Sequence, residues 1–229
     1  MLSFQAALRR YLTEPLGRQC CVTPTERRSL AAVLDRGDVL LTDANTRCAA
    51  LVRHVTRSVW SHVSMYVGPL EQAADPLCIV EADIAAGVRP VRLSELNALR
   101  VQVLRPAALS KAERDWLADC VVSRIGAEYD LAHAWQLGRR HLLSGRSRRT
   151  GGTISMPTRR RPSRFICSSL VAHAFASLGY SILPDGKAAG ARASGDHGHL
   201  TPADFEHAPV FQVVWPLDAT ASHASPRSA

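Results

Sequence analysis

The middle of the chain alternates hydrophobic and polar residues at the spacing of β-strands. Residues 61–67 read Ser-His-Val-Ser-Met-Tyr-Val and are followed by a Gly-Pro pair, a pattern that predicts a half-buried strand. Pro90 favours a sheet edge for the strand that contains it, because proline cannot donate a ladder hydrogen bond. Short links between consecutive strands predict an antiparallel sheet. Further strands are predicted at 39–41, 77–82, 87–93, 99–104 and 211–215.

Helical periodicity flanks these strands on both sides. Residues 23–26 and 110–113 carry capping-box patterns that predict helix starts. Asp43 is expected to cap a helix whose apolar stripe lies within residues 48–55. The strongest apolar stripe predicts a helix over 166–178, which a glycine ends. The fold class is therefore α+β, with one antiparallel sheet packed against helices.

The length of 229 residues suits a single domain with additions. Residues 1–34 are predicted to form an N-terminal helical extension, and residues 35–215 the main domain. Within that domain, residues 143–164 are rich in Arg, Gly, Ser, Thr and Pro and predict an inserted loop. Residues 216–229 are rich in Ala and Ser and predict a disordered tail.

The positive charge of the chain is concentrated in one segment. Lys and Arg number 28 against 20 Asp and Glu, a net charge of +8. Nine arginines lie between residues 139 and 164, and no acidic residue occurs from 131 to 184. Since these nine charges exceed the net charge, the rest of the chain is close to neutral. A nucleic-acid protein usually carries its charge across a whole binding face, so no specific nucleic-acid partner is expected.

The sequence favours a cytoplasmic location. The first 20 residues lack the apolar core of a secretory signal. The six cysteines show no framework spacing, and a chain of this size does not need disulfides, so reduced thiols are expected. No stretch is apolar enough for a membrane span of about 20 residues.

Cys167 stands at the start of the strongest predicted helix. Unpaired N–H groups and the helix dipole place partial positive charge there, and this charge favours the thiolate. Cys167 therefore qualifies as a nucleophile. The alternative is a buried structural cysteine, because free cysteine is among the most buried residue types.

Two residues on neighbouring predicted strands can complete a catalytic group with Cys167. His62 lies on the polar face of its strand and can serve as the general base for a thiol. Glu81 lies inside an apolar strand, where a carboxylate needs a partner, and it can orient the imidazole. Asp83 has the same strand parity as Glu81 and is the alternative. The alternative is that neither residue is catalytic: His62 would be a histidine with a satisfied hydrogen bond, and Glu81 an edge-strand carboxylate in water.

Five segments follow one another along the chain: Arg36–Leu41, Trp60–Gly68, Val80–Ala82, Gly126–Asp130 and Phe165–Val171. In this order they resemble the YiiX/YaeF group, the circularly permuted NlpC-type papain-like cysteine hydrolases related to lecithin:retinol acyltransferase. In that permuted order the histidine strand precedes the cysteine helix, as in this chain. Thr201–Asp204 also resembles a late segment of the family, so the resemblance covers roughly residues 35–215.

The resemblance implies a permuted papain-like (NlpC-type) fold, with an antiparallel sheet or half-barrel against helices. It also implies a nucleophile at Cys167, a base at His62 and an orienting Glu81. The backbone N–H of Cys167 is a natural oxyanion donor, and the Tyr129 hydroxyl is a second candidate; Tyr129 can equally be a packed aromatic residue. At position 169 this chain has serine, where many relatives have glutamate.

The expected function is therefore a thiol-nucleophile hydrolase or acyltransferase. It would cleave an amide or ester bond of a peptide, amide or lipid acyl substrate through a thioester. The alternative is a non-catalytic module that binds anionic lipid, a membrane surface or nucleic acid through the basic segment. The arginines that would make this contact are Arg146, Arg148, Arg149, Arg159, Arg160 and Arg161.

No cofactor and no metal are expected. The chain has no phosphate-binding loop or nucleotide fingerprint. Asp196, His197, His199 and His207 cluster in the sequence, but their spacing fits no standard zinc pattern.

Overall fold

A six-stranded antiparallel sheet is the centre of the fold. The computed structural model describes residues 4–17, 23–96, 98–143, 163–183 and 200–216. The strand order in the sheet is β4-β3-β2-β1-β5-β8. Its strands are β1 (Val39–Ala44), β2 (His62–Tyr66), β3 (Leu77–Asp83), β4 (Gly87–Arg92), β5 (Ala98–Pro106) and β8 (Phe211–Trp215).

Helices and a small second sheet surround these strands. Strands β6 (Glu128–Tyr129) and β7 (Arg164–Phe165) pair in parallel, and a short 3₁₀ helix spans Leu93–Glu95. The α-helices are α1 (Phe4–Thr13), α2 (Pro24–Val33), α3 (Arg47–Thr56), α4 (Lys111–Val122), α5 (Leu131–Leu143), α6 (Cys167–Ser177) and α7 (Pro202–Glu206). The α+β class and the mainly antiparallel sheet are confirmed.

Both faces of the sheet are covered. Helix α6 packs against β2 and β3, and its Leu170, Val171 and Phe175 are buried in one cluster with Val63 and Met65 of β2. The opposite face buries a second cluster, which includes Leu30 of α2 and residues of β1, β3 and β5. Because the apolar stripe of α6 packs on the sheet, the first residue of the helix, Cys167, is held at a defined position over the sheet.

The helix start predicted at Asp43 is wrong. Strand β1 continues through Ala44, so Asp43 lies inside the sheet and forms an ion pair with Arg53. The cap of α3 is Thr46, whose side chain accepts a hydrogen bond from the N–H of Ala49. Leu51 is half exposed and does not join the core.

Several predictions fall on residues outside the described part of the chain. They include most of the Arg-rich insertion with its six named arginines, the tail from residue 217, and Asp196, His197 and His199. His207 is described and its side chain is 79% exposed. Within the described helices, none has both the length and the apolar character needed to cross a membrane.

Gly87, in the hairpin that joins β3 to β4, is expected to tolerate no side chain. Its φ of +76° is unfavourable for other residues, and an added Cβ would clash with the carbonyl oxygen of Ala127. Gly87→Ala should therefore lower the free energy of unfolding by about 2 kcal/mol or more in urea denaturation. Gly126 is the matched control, because its φ is +90° but an added Cβ meets nothing within 4 Å. If Gly126→Ala lowered the free energy of unfolding as much as Gly87→Ala does, the predicted clash would be contradicted.

Candidate active site

The first turn of α6 presents unpaired backbone donors around Cys167. Ile166, the residue before the helix, offers no side-chain cap. Ser169 instead turns back: its Oγ accepts a hydrogen bond from the N–H of Ile166 at 3.0 Å. The backbone N–H of Ser168, in the same turn, acts to lower the pKa of the Cys167 thiol. The helix start supplies the positive partial charge that the sequence predicted at this cysteine.

His62 lies at the beginning of β2, and its imidazole lies beside the Cys167 thiol, so that each group shifts the pKa of the other. The backbone N–H of Val63 is also near this sulfur and acts to lower the thiol pKa. Cys167 is half-buried, and the His62 side chain is 21% exposed. The nucleophile and base candidates therefore meet, although they are more than 100 residues apart in the chain.

The electrostatics of this contact favour a charged pair. Burial acts to raise the pKa of Cys167, but the hydrogen bond and charge of His62 outweigh it, so the thiol pKa falls below its usual range. Burial acts to lower the pKa of His62, but its bonds to Cys167 and Glu81 raise that pKa to about 10. Together these shifts mean that, near neutral pH, the thiolate–imidazolium pair is favoured over a neutral thiol beside a neutral imidazole.

Glu81 on β3 holds the other side of the imidazole. Its Oε2 lies 3.1 Å from His62 Nε2. Its Oε1 accepts hydrogen bonds from Arg89 Nε at 3.1 Å and Nη2 at 2.8 Å. Burial acts to raise the Glu81 pKa, but His62 and Arg89 lower it below its usual range. Because an ionised carboxylate only accepts, Nε2 carries the hydrogen and Nδ1 is left for the thiol.

Asp83, the alternative to Glu81, has a local role. Its Oδ1 accepts hydrogen bonds from the N–H groups of Ala85 and Ala86, both at 2.8 Å. These bonds form the turn between β3 and β4. The structure therefore brings Glu81, rather than Asp83, into contact with His62.

Tyr129 and Cys48 lie near the same sulfur. Tyr129 is half-buried at the end of β6; burial and the charges of Cys167 and Cys48 raise its pKa well above the usual range, so the hydroxyl stays protonated. Burial, followed by the nearby Cys167 and Asp83, raises the pKa of Cys48 to about 11. Cys48 is therefore a protonated thiol beside a charged one. Asp130, next to Tyr129, caps α5 by accepting from the N–H of His133.

Sequence reasoning did not identify Arg89 or Cys48 as part of this site. Arg89 lies opposite Glu81 in the β3–β4 pairing. A hairpin centred on Asp83 to Gly87 would have predicted that pairing. Cys48 was assigned to a core stripe, and no sequence signal placed it near Cys167.

A sequence model of the family described as "Permuted papain-like amidase enzyme, YaeF/YiiX, C92 family" matches residues 33–141. The matched residues include His62, Glu81 and Tyr129 and end before Cys167. Among solved structures, the chain is similar to the "metalloprotein yiiX from Escherichia coli O157:H7". The TM-score is 0.54, with 17% identity over 80% of this chain and 97% of that chain. No curated protein matches this sequence.

These comparisons confirm the resemblance and the permuted papain-like fold that were predicted from the motifs. The matched family is one of cysteine amidases or peptidases, which supports a hydrolase. The solved relative is described as a metalloprotein. In the part of this chain that the structure describes, no group of three or more His, Cys, Asp or Glu residues is arranged to hold a metal ion.

Proposed function

We propose that this permuted papain-like chain is a cysteine hydrolase or acyltransferase that opens an amide or ester acyl bond through a thioester. One observation carries the proposal: the His62 imidazole lies beside the Cys167 thiol, while its Nε2 is 3.1 Å from Oε2 of Glu81. This arrangement joins a nucleophile, a base and an orienting group in one chain of hydrogen bonds.

The acylation step uses the charged pair. The Cys167 thiolate attacks the carbonyl carbon, and the carbonyl oxygen becomes an oxyanion. The backbone N–H of Cys167 and the protonated hydroxyl of Tyr129 are the donors we assign to that oxyanion. As the tetrahedral intermediate collapses, the imidazolium of His62 gives its proton to the leaving amine or alcohol, and the acyl group remains on sulfur as a thioester.

The deacylation step runs the same groups in reverse. Neutral His62 takes a proton from water, or from an acceptor hydroxyl or amine, as that group attacks the thioester carbon. Loss of the thiolate then releases an acid or a transferred acyl product, and the imidazolium–thiolate pair is restored. Glu81 stays ionised throughout and keeps the Nε2 hydrogen in place.

A thiol-alkylating reagent tests the nucleophile. At pH 6.5, iodoacetamide followed by peptide mass mapping should label Cys167 first, because its pKa is lowered. Cys48 should react slowly, since a pKa of about 11 leaves only roughly one thiol in 10⁴ ionised near pH 7. Labelling of Cys167→Ser at undiminished total rate would count against the assignment.

A second candidate function is docking on an anionic membrane. Helix α5 leads into the arginine-rich segment, and its Trp135 is 74% exposed. A basic segment beside an exposed tryptophan suits the interface of an anionic bilayer. This contact is compatible with catalysis and would bring a lipid acyl substrate to the site.

Vesicle sedimentation tests the docking surface. The full chain should bind phosphatidylglycerol vesicles, with binding that weakens as salt rises, and should ignore phosphatidylcholine vesicles. A variant with residues 144–162 replaced by a short Gly-Ser linker should lose most of the binding, because each basic residue contributes about 1 kcal/mol at such a surface. Equal binding by the full chain and this variant would remove the candidate.

A further inference from the structure

Arg89 and Glu81 form a cross-strand pair behind the candidate base. They lie opposite each other in the β3–β4 ladder. Two donors of the guanidinium converge on Glu81 Oε1, at 2.8 and 3.1 Å, while Oε2 is left for His62. The Glu81 side chain is 17% exposed and that of Arg89 is 42% exposed. The carboxylate therefore has a separate partner on each oxygen.

The division of the two oxygens restricts the carboxylate. A glutamate side chain has several rotatable bonds, and holding it in one position costs conformational entropy. The guanidinium holds Oε1 through two donors, so fewer side-chain rotations remain open to Glu81 and Oε2 is kept on the His62 side. Without Arg89, Glu81 could rotate its Oε2 away from His62.

The charge of Arg89 acts in the same direction. A positive group on Oε1 favours the ionised carboxylate, which accepts a hydrogen bond from His62 Nε2 and cannot donate one. A protonated Glu81 could donate to Nε2. The hydrogen of a neutral imidazole would then move to Nδ1, the nitrogen that must accept the proton of the thiol.

We propose that Arg89 is a positioning residue: it holds Glu81 ionised and aimed at His62, and through this pair it sustains the reactive state of Cys167. The inference rests on the proposed function, and it extends the chain of contacts to four side chains. Arg89 acts only through Glu81 and touches none of the reacting atoms.

The test measures the rate of iodoacetamide alkylation of Cys167 against pH, a readout that needs no substrate. In Arg89→Met, the pH at which the alkylation rate rises on the acid side should increase by about one unit. Without Arg89, Glu81 stabilises the His62 imidazolium less, and the imidazolium in turn stabilises the Cys167 thiolate less. Arg89→Lys should recover part of the shift, since it keeps the charge and loses the fork. Arg92→Met is the control: Arg92 is on the same strand but pairs with Glu71, and its profile should not move.

A double-variant cycle separates this role from a merely structural one. In a Glu81→Gln background, adding Arg89→Met should change the alkylation rate less than twofold. An unmoved acid limb in Arg89→Met, or the same shift with and without Glu81, would overturn the inference. Should Arg89→Met shift the limb while Cys167→Ala still turns over substrate, the positioning role stands and the proposed function fails.

Discussion

Replacing Cys167 by alanine or serine is expected to remove turnover of amide and ester substrates, by at least about 10⁴-fold. Alanine removes the nucleophile. Serine keeps the shape but carries a hydroxyl, which the His62 contact cannot ionise at neutral pH as it ionises a thiol. Since Cys167 is half-buried at the first position of α6, both residues fit the helix start without strain.

The measurement is the release of product from a panel of chromogenic amides and esters, including acyl lipids. Cys120→Ser is the matched control. Cys120 is also half-buried, but it lies in α4, and its variant should keep full activity. If Cys167→Ala retained activity within tenfold of the parent chain, the proposed chemistry would be wrong.

Replacing His62 by alanine is expected to lower turnover by at least about 10³-fold. Two contributions are lost together, the proton transfer to the leaving group and the charge that ionises Cys167. Without His62, burial dominates and raises the thiol pKa. Alkylation of Cys167 near pH 7 should then fall about tenfold for each unit of that rise.

The pH profile gives the sign of the effect. In the parent chain, reactivity should appear as Cys167 ionises at a pH below the usual thiol range, and turnover should decline near pH 10, where His62 loses its proton. His62→Ala should lose the low-pH reactivity and react only in alkaline solution. His54→Ala, which changes an exposed histidine on α3, should follow the parent profile. Coincident profiles for His62→Ala and the parent would show that the two side chains are not coupled.

The positions of Cys167 and His62 could be predicted because each depends on local pattern. The stripe of α6 fixes its own start, and the alternation over residues 61–67 fixes the strand that carries His62. Both elements pack together because each has one apolar face. The ordered motifs then supplied the pairing of two residues distant in sequence.

The choice between Glu81 and Asp83 could not be made from strand parity. Glu81 pairs with Ser64 across β2 and β3, and continuing this register would set Asp83 opposite His62. The longer side chain of Glu81 reaches diagonally to the imidazole, while Asp83 is held by the turn that follows it. Side-chain reach and competing local hydrogen bonds decided the contact, and neither follows from alternation.

The contacts of Arg89 and Cys48 were not predicted, because they depend on strand register and on where a helix begins. Arg89 meets Glu81 only because the hairpin turns between Asp83 and Gly87. Cys48, which lies near Cys167, is the second residue of α3, and that helix begins at Arg47 after the Thr46 cap rather than directly after Asp43.

Trapping the acyl group on Cys167 tests directly whether a thioester forms. The chain is incubated with an activated ester substrate, quenched in acid, and examined by intact mass and peptide mapping. We expect a mass increase equal to the acyl group, located on Cys167, labile to hydroxylamine and missing in Cys167→Ala. An adduct on another residue, or turnover of the same ester with no adduct at Cys167 and no loss in Cys167→Ala, would contradict it.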